Sequence, residues 1–205
     1  EDGNKTKLKN AKIYLNKKLE GKTDKQGIFI KTLSYELGEI VDLKIVPSDT
    51  KLKKIVDGLK KPWSLSFIDQ ENVVITEKSG KLLTLNLIDK KISEIKHNLS
   101  ILEDGQGGLL DVLYYKEHVY ISYSENRGNW KTSTSVAKGK FNKKNIEFKN
   151  IFRAEPPVDS GYHFGSRLVI SNNNHLYITA GERGQGMIAQ DTNKHPGSVI
   201  RINLD

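Results

Sequence analysis

Two histidines, two arginines and a glutamine crowd one stretch of the sequence, Ser160 to Gln185 (SGYHFGSRLVISNNNHLYITAGERGQ). The imidazole of His163 can accept a proton near neutral pH. A guanidinium can steady a developing oxyanion. The amide of Gln185 can orient a polar ligand. His163 on its own also fits a turn histidine satisfied by backbone, so its surroundings must decide.

The segments around these residues read as two strands and a turn. Arg167–Ile170 and His175–Thr179 are β-branched and apolar, and Ser171-Asn172-Asn173-Asn174 between them is hairpin-turn chemistry. An antiparallel hairpin brings the start of its first strand beside the end of its second. His163, Arg183 and Gln185 are therefore expected at one rim of a sheet.

A second polar loop lies upstream. Gln106 sits in Asp104-Gly105-Gln106-Gly107-Gly108, which reads either as a flexible turn or as a loop whose bare backbone lets a flat ligand approach. No helix and no Lys-Ser/Thr follow it, so it is not a phosphate loop. Asp111, after two leucines, faces inward if it has a partner such as Arg167, a structural pair. Trp63 reads as packing between sheets. Trp130, in Arg127-Gly128-Asn129-Trp130, is an exposed loop residue or the border of a ligand site. His97, His118 and His175 sit in charged or turn surroundings and read as solvated, and His195 as a loop residue. No His/Asp/Glu cluster has metal-ligand spacing.

With 205 residues the chain is long enough for one ordinary domain or for part of a larger one. Zero cysteines exclude disulfides, thiolate metal sites and cysteine nucleophiles. No apolar run approaches the ~20 residues of a membrane span, and Glu1-Asp2-Gly3-Asn4 does not begin a signal peptide. The net charge is +8, but only five basic residues are arginine and the lysines are scattered among acids. That is a solvated lysine-rich surface, and nucleic acid is not an expected partner.

Residues 1–50 differ in character from the rest of the chain. Residues 1–27 read as a loose lysine-rich arm with one strand at Ala11–Leu15, and Gly27–Leu33 and Glu39–Val46 alternate as strands. From Lys53 the rhythm is all β: Lys53–Val56, Trp63–Ile68, Asn72–Glu77, Lys81–Leu87, Lys91–Lys96, Leu109–Tyr115, His118–Tyr123, Thr132–Phe141, Ile146–Phe152, the hairpin, and Gly197–Asn203. The order of apolar strand, polar turn and apolar strand ending in Ile-Thr or Ile-Ser, then a polar loop, occurs from Trp63, from Gly108 and from Arg167. Copies ~50 residues apart are the signature of propeller blades, and closed propellers have ~4–8 of them. Residues 51–205 are expected to form about three blades of a longer propeller, or one that another chain completes.

Several motifs in order resemble the glucose/sorbosone dehydrogenase family, the soluble aldose sugar dehydrogenases dependent on pyrroloquinoline quinone (PQQ). They are Gly58-Leu-Lys-Lys-Pro-Trp-Ser64, Thr76-Glu-Lys-Ser-Gly80, Gly105-Gln-Gly-Gly-Leu-Leu-Asp-Val112, Tyr120-Ile-Ser-Tyr-Ser124, His163-Phe-Gly-Ser-Arg-Leu-Val169, Gly181-Glu-Arg-Gly184, Ala189-Gln-Asp191 and His195-Pro-Gly197. The resemblance runs from about Ile55 to the C-terminus. It implies a six-bladed β-propeller, of which this chain covers the first three blades after an N-terminal extension. It also implies oxidation of an aldose at its anomeric carbon to the lactone. His163 matches the general base that takes the hydroxyl proton as hydride passes to the quinone, and Gln106 matches a glutamine at the substrate and quinone face. Gln185 and Arg183 lie in a loop that contributes polar contacts there. Tyr162 stands where some members carry an acidic or amide residue. Calcium is implied for the full-length protein, with ligands outside this chain, so no metal residue is expected here. A small-molecule sugar is the implied partner, a homodimer is left open, and the location implied is periplasmic or secreted. The alternative is a non-catalytic propeller that binds a carbohydrate or a protein.

Overall fold

The structure is a computed structural model that describes residues 11–15, 18–25, 43–46 and 54–204. The chain divides into two compact units, Glu1–Lys54 and Ile55–Asp205.

In the first unit, β1 (Lys12–Leu15) pairs antiparallel with β2 (Lys18–Lys22) on one side and β3 (Leu43–Val46) on the other. The sequence places β1, and β3 at the end of a longer run, but it leaves β2 in a loose arm. Lys18-Leu-Glu-Gly-Lys22 is too polar to read as a strand, and pairing to β1 supplies the order that propensity does not. The strand expected at Gly27–Leu33 lies outside the described residues.

The second unit consists of successive antiparallel sheets. The first comprises β4 (Pro62–Phe67), β5 (Asn72–Glu77), β6 (Leu82–Asn86) and β7 (Ile92–His97), with the two-residue β11 (Asn145–Ile146) added in parallel at its edge. The second comprises β8 (Leu109–Tyr115), β9 (His118–Asn126), β10 (Thr132–Lys140) and β12 (Lys149–Arg153). The third comprises β13 (Gly165–Ile170), β14 (His175–Ala180) and β15 (Ser198–Asn203). Two expectations fail in detail. Residues 54–56 are not a strand, and the run at Ile146–Phe152 breaks into β11 and β12, which join different sheets.

The sheets stack face to face, so the middle one is buried on both sides. Val119, Ile121 and Tyr123 of β9 pack with Val74, Leu82 and Ile95 of the first sheet. Tyr120 and Val136 pack the other way, against Leu168, Leu176 and Ile178 of the third. β9 is accordingly buried without a break from Val119 to Glu125.

The repeat has an atomic counterpart. Each sheet's first strand carries one extra residue near its start, where the register slips against the second strand: Pro62/Ser64, Leu109/Val112 and Gly165/Leu168. The hydroxyl that ends each Ile-Thr or Ile-Ser pair receives a backbone N–H from that bulge. Thr76 Oγ1 accepts from Ser64 at 3.2 Å, Ser122 Oγ from Asp111 at 2.9 Å, and Thr179 Oγ1 from Arg167 at 2.9 Å. The first two then donate to the following sheet, Thr76 to the Leu110 carbonyl and Ser122 to the Ser166 carbonyl, both at 2.6 Å.

Asp111 joins all three first strands. Its Oδ1 accepts from the Ser64 hydroxyl at 2.5 Å and from Arg167 Nη1 at 3.2 Å, and its Oδ2 accepts from the Leu168 N–H at 2.8 Å. Arg167 also lies over the Trp63 ring, 4.7 Å from its centroid. The sequence reading of Asp111 and Arg167 as a structural pair agrees with this geometry.

Candidate functional site

The site forms where the loops entering β8 and β13 meet the loop leaving β14. Gly165 pairs with Ala180, and the Gly181 N–H donates to the Phe164 carbonyl at 3.2 Å, so the hairpin register continues beyond the strands. One step further that register sets His163 opposite Glu182. Close backbone contact is built into this approach: a Cβ on Gly181 would collide with the His163 carbonyl oxygen.

His163 itself has φ 49°, left-handed backbone that a non-glycine residue adopts only under constraint. Its N–H donates to Gln106 Oε1 at 2.9 Å. The Gln106 N–H in turn donates to the Gly161 carbonyl at 2.7 Å. The two loops touch so closely here that a Cβ on Gly105 would stand 2.5 Å from that same carbonyl oxygen. His163 and Gln106 therefore share one face and are bonded to each other.

The imidazole is half exposed, and its Nδ1 bonds the Glu182 carboxylate. The bond to His163 holds the Glu182 carboxyl below the usual glutamate range, with backbone N–H groups adding to the effect. With Nδ1 engaged, Nε2 is the nitrogen left to meet a ligand. Sequence reasoning gave Glu182 no role. The signal was available, since extending the hairpin register from Ala180 pairs 182 with 163.

Arg183 goes elsewhere. It was expected at the ligand face, yet it is 2% exposed and lies beneath the rim. Its Nε donates to the Tyr162 carbonyl at 2.8 Å, Nη1 to the Thr132 carbonyl at 3.0 Å, and Nη2 to Thr132 Oγ1 at 2.7 Å and to the Ser160 carbonyl. The guanidinium also covers the Phe164 ring at 3.7 Å. Burial pushes its pKa down to about 10, with Asp104 pulling the other way, so it stays charged at neutral pH. The reason for the inward turn is local. Arg183 has φ 60°, a left-handed backbone conformation in the loop just after β14.

Gln185 is exposed on the same loop, with its N–H bonded to the Glu182 carbonyl at 3.0 Å. Beside it, Gly186 presents open backbone, where a Cβ would meet nothing within 4 Å. Tyr162 is exposed next to His163, the two rings 6.1 Å apart and edge-on.

His97, His118 and His195 have structural partners, with His118 Nδ1 bonded to the Lys116 carbonyl at 2.8 Å. His97 is not merely solvated: Nε2 bonds the Gly80 carbonyl at 2.7 Å, and the ring stands edge-on to Phe148. His195 Nδ1 accepts the Glu155 N–H at 2.9 Å, and its ring stands edge-on to Phe152. Among the described residues, no group of three His, Asp or Glu side chains could hold a metal ion, and no helix is long and apolar enough to cross a membrane.

Comparison with known proteins agrees with the motif order. The sequence model of the glucose/sorbosone dehydrogenase family matches residues 59–205. The aldose sugar dehydrogenase YliI of Escherichia coli is 31% identical over 165 residues, covering 76% of this chain and 44% of that protein. Quinoprotein glucose dehydrogenase B of Acinetobacter calcoaceticus is 26% identical over 186 residues, 75% of this chain and 39% of that protein. A solved glucose dehydrogenase superposes with a TM-score of 0.71 at 35% identity, over 74% of this chain and 50% of that one. The chain thus spans half or less of the length of these relatives. It is an all-β member of the glucose/sorbosone dehydrogenase family.

Proposed function

We propose that the chain is the front portion of a six-bladed propeller enzyme that oxidises an aldose at its anomeric carbon to the lactone, using PQQ. The observation that carries this is the joining of His163, Glu182 and Gln106 on one rim, with an imidazole half exposed and fixed through Nδ1.

The step needs a base as the C–H bond breaks. His163 Nε2 takes the proton of the anomeric hydroxyl, and Glu182 stabilises the imidazolium that forms. A positioned base of this kind contributes about 10²–10⁴-fold. Gln106 holds the loop of His163 through Oε1 and keeps its Nε2 for a ligand oxygen. Arg183 serves the site from below, by fixing the carbonyls of Ser160 and Tyr162 that lead into His163.

The residues present fit a flat quinone. Gly184 and Gly186 offer backbone without side chains, and a Cβ on Gly184 would come no nearer than 3.7 Å to a neighbour. The Gln106 and Gln185 amides are the groups that would hold its polar edge. When bound, the quinone supplies the two-electron oxidant that accepts the hydride. Calcium belongs to this reading through ligands outside this chain, and the working location is periplasmic or secreted.

The test is to add PQQ and calcium to the full-length protein and follow dye reduction with aldoses. Sugar-dependent reduction that His163→Ala abolishes, with the fold intact by circular dichroism, is the expected result. Absence of both quinone binding and dye reduction would leave the alternative, a non-catalytic propeller that binds a carbohydrate or a protein.

A further inference from the structure

Lys78 stands directly after β5, in the first sheet, and its ammonium bonds the Gly105 carbonyl of the Gln106 loop. The backbone that launches this side chain is held at both of its polar groups. The Lys78 N–H donates to the Lys61 carbonyl, and the Lys78 carbonyl accepts the Leu109 N–H, both at 3.0 Å. A Cβ on Gly108 would stand 2.6 Å from Lys78 Cγ, so the aliphatic stem lies against the loop that its ammonium grips.

The bond falls on one end of a planar peptide unit, whose other end is the Gln106 N–H. The carbonyl end takes the Lys78 ammonium, and the N–H end donates to the Gly161 carbonyl at 2.7 Å. One plane is thus pinned from the first sheet on one side and from the approach to β13 on the other. A cation on the carbonyl also polarises the unit and strengthens its N–H as a donor, so the two holds reinforce each other. The Gln106 side chain leaves the Cα at the edge of that plane, and its Oε1 receives the His163 N–H at 2.9 Å.

The loop does not supply this order by itself. Three of the five residues Asp104–Gly108 are glycine, a composition with many accessible backbone states. The Gly107 N–H closes a turn onto the Asp104 carbonyl at 2.6 Å, which sets the curve of the loop but not its direction. Two lysines of the first sheet set the direction in different ways. Lys61 reaches Glu103 at 2.8 Å in an exposed ion pair, a kind that contributes little. Lys78, half-buried, takes the backbone instead.

We propose that Lys78 is a positioning residue, whose ammonium fixes the Gln106 peptide and, through the Gln106 side chain, the aim of His163. This rests on the reading of His163 as the base. It puts a handle on that base in the first sheet, although His163 leads into the third.

The test uses the full-length protein with Lys78→Met, which keeps the stem without the charge, and Lys78→Arg, which keeps a cationic donor. The first readout needs neither quinone nor sugar. It is hydrogen–deuterium exchange of the His163 N–H, with Gln106→Ala giving the rate when its acceptor is gone. Exchange should be about tenfold faster in Lys78→Met and within about threefold of native in Lys78→Arg, while the amides of β8 and β9 stay protected. In dye reduction, kcat should fall about tenfold in Lys78→Met with KM for the aldose little changed, and should recover in Lys78→Arg. An unchanged His163 exchange rate, or a loss of protection that spreads equally through β8 and β9, overturns the proposal. Should Lys78→Met fail to fold, Lys78→Gln is read by the same two outcomes. Failure of the enzyme reading looks different: neither the native protein nor any variant reduces the dye, while His163 exchange still responds to Lys78.

Discussion

Glu182 bonds Nδ1 of His163 across the continued register of the β13–β14 hairpin, and this leaves Nε2 as the nitrogen that faces a ligand. Glu182→Gln keeps the shape but loses the charge that steadies an imidazolium. Turnover should fall about 10–10²-fold, with KM little changed, because the charge acts mainly after the proton has moved. The pH dependence of stability has a definite sign. The folded carboxyl sits below the ordinary value of 4.5, so its contribution is complete above that value and is lost as pH falls through the lowered one. Thermal midpoints of the native protein and Glu182→Gln should therefore differ at neutral pH and converge in acid. A gap that persists in acid would show that the carboxylate charge is not its source.

Gly181→Ala tests the close approach that aims the histidine. The new methyl would run into the His163 carbonyl oxygen, and backbone rather than a flexible side chain must move. The expected cost is about 1–3 kcal/mol of stability. Dye reduction should fall more steeply than the fold weakens, because a base displaced by about 1 Å can lose on the order of 10²-fold. Urea denaturation and steady-state kinetics on the same variant separate the two effects.

Arg183→Lys keeps the charge but not the planar fork. An ammonium cannot serve Thr132, Ser160 and Tyr162 together, so buried carbonyls lose their donors. Destabilisation of about 2–3 kcal/mol is expected, read as a drop in the urea midpoint. Added quinone should not restore it, because the guanidinium contacts protein acceptors. Full recovery on quinone addition would instead place Arg183 at the ligand.

Asp111→Asn has no satisfactory rotamer. Both carboxylate oxygens accept, Oδ1 from Ser64 and Arg167 and Oδ2 from the Leu168 N–H, so an amide turned either way sets donor against donor. A loss of about 2 kcal/mol is expected from the buried mismatch. Ser64→Ala should cost less, since it removes a donor without leaving a buried acceptor unbonded. Chemical denaturation of the two variants gives the order.

Much of this arrangement was legible in the residues. The hairpin rule alone brought His163 to the end of β14, and the Ile-Thr and Ile-Ser echoes marked the repeated sheets. Arg183 was misread because its direction follows from a left-handed φ, and nothing in Gly-Glu-Arg-Gly announces which residue carries it. Glu182 was missed because the loop was treated as lying beyond the hairpin, although the pairing does not stop at Ala180. β2 escaped notice because its order comes from a neighbour and not from its own polar sequence. The function was legible only from the motifs in combination, since each alone fits an ordinary turn.

The repeated hydroxyls at Thr76 and Ser122 have a geometric consequence. One oxygen ties the bulge of its own sheet to the next sheet along, at 2.6 Å in both cases, so the angle between neighbouring sheets is fixed at single atoms. Curvature here is inherited from link to link, as in an arch whose wedge stones share one taper. Shaving a single stone, with Ser122→Ala, should therefore tilt everything downstream of it, and the aim of His163 with it.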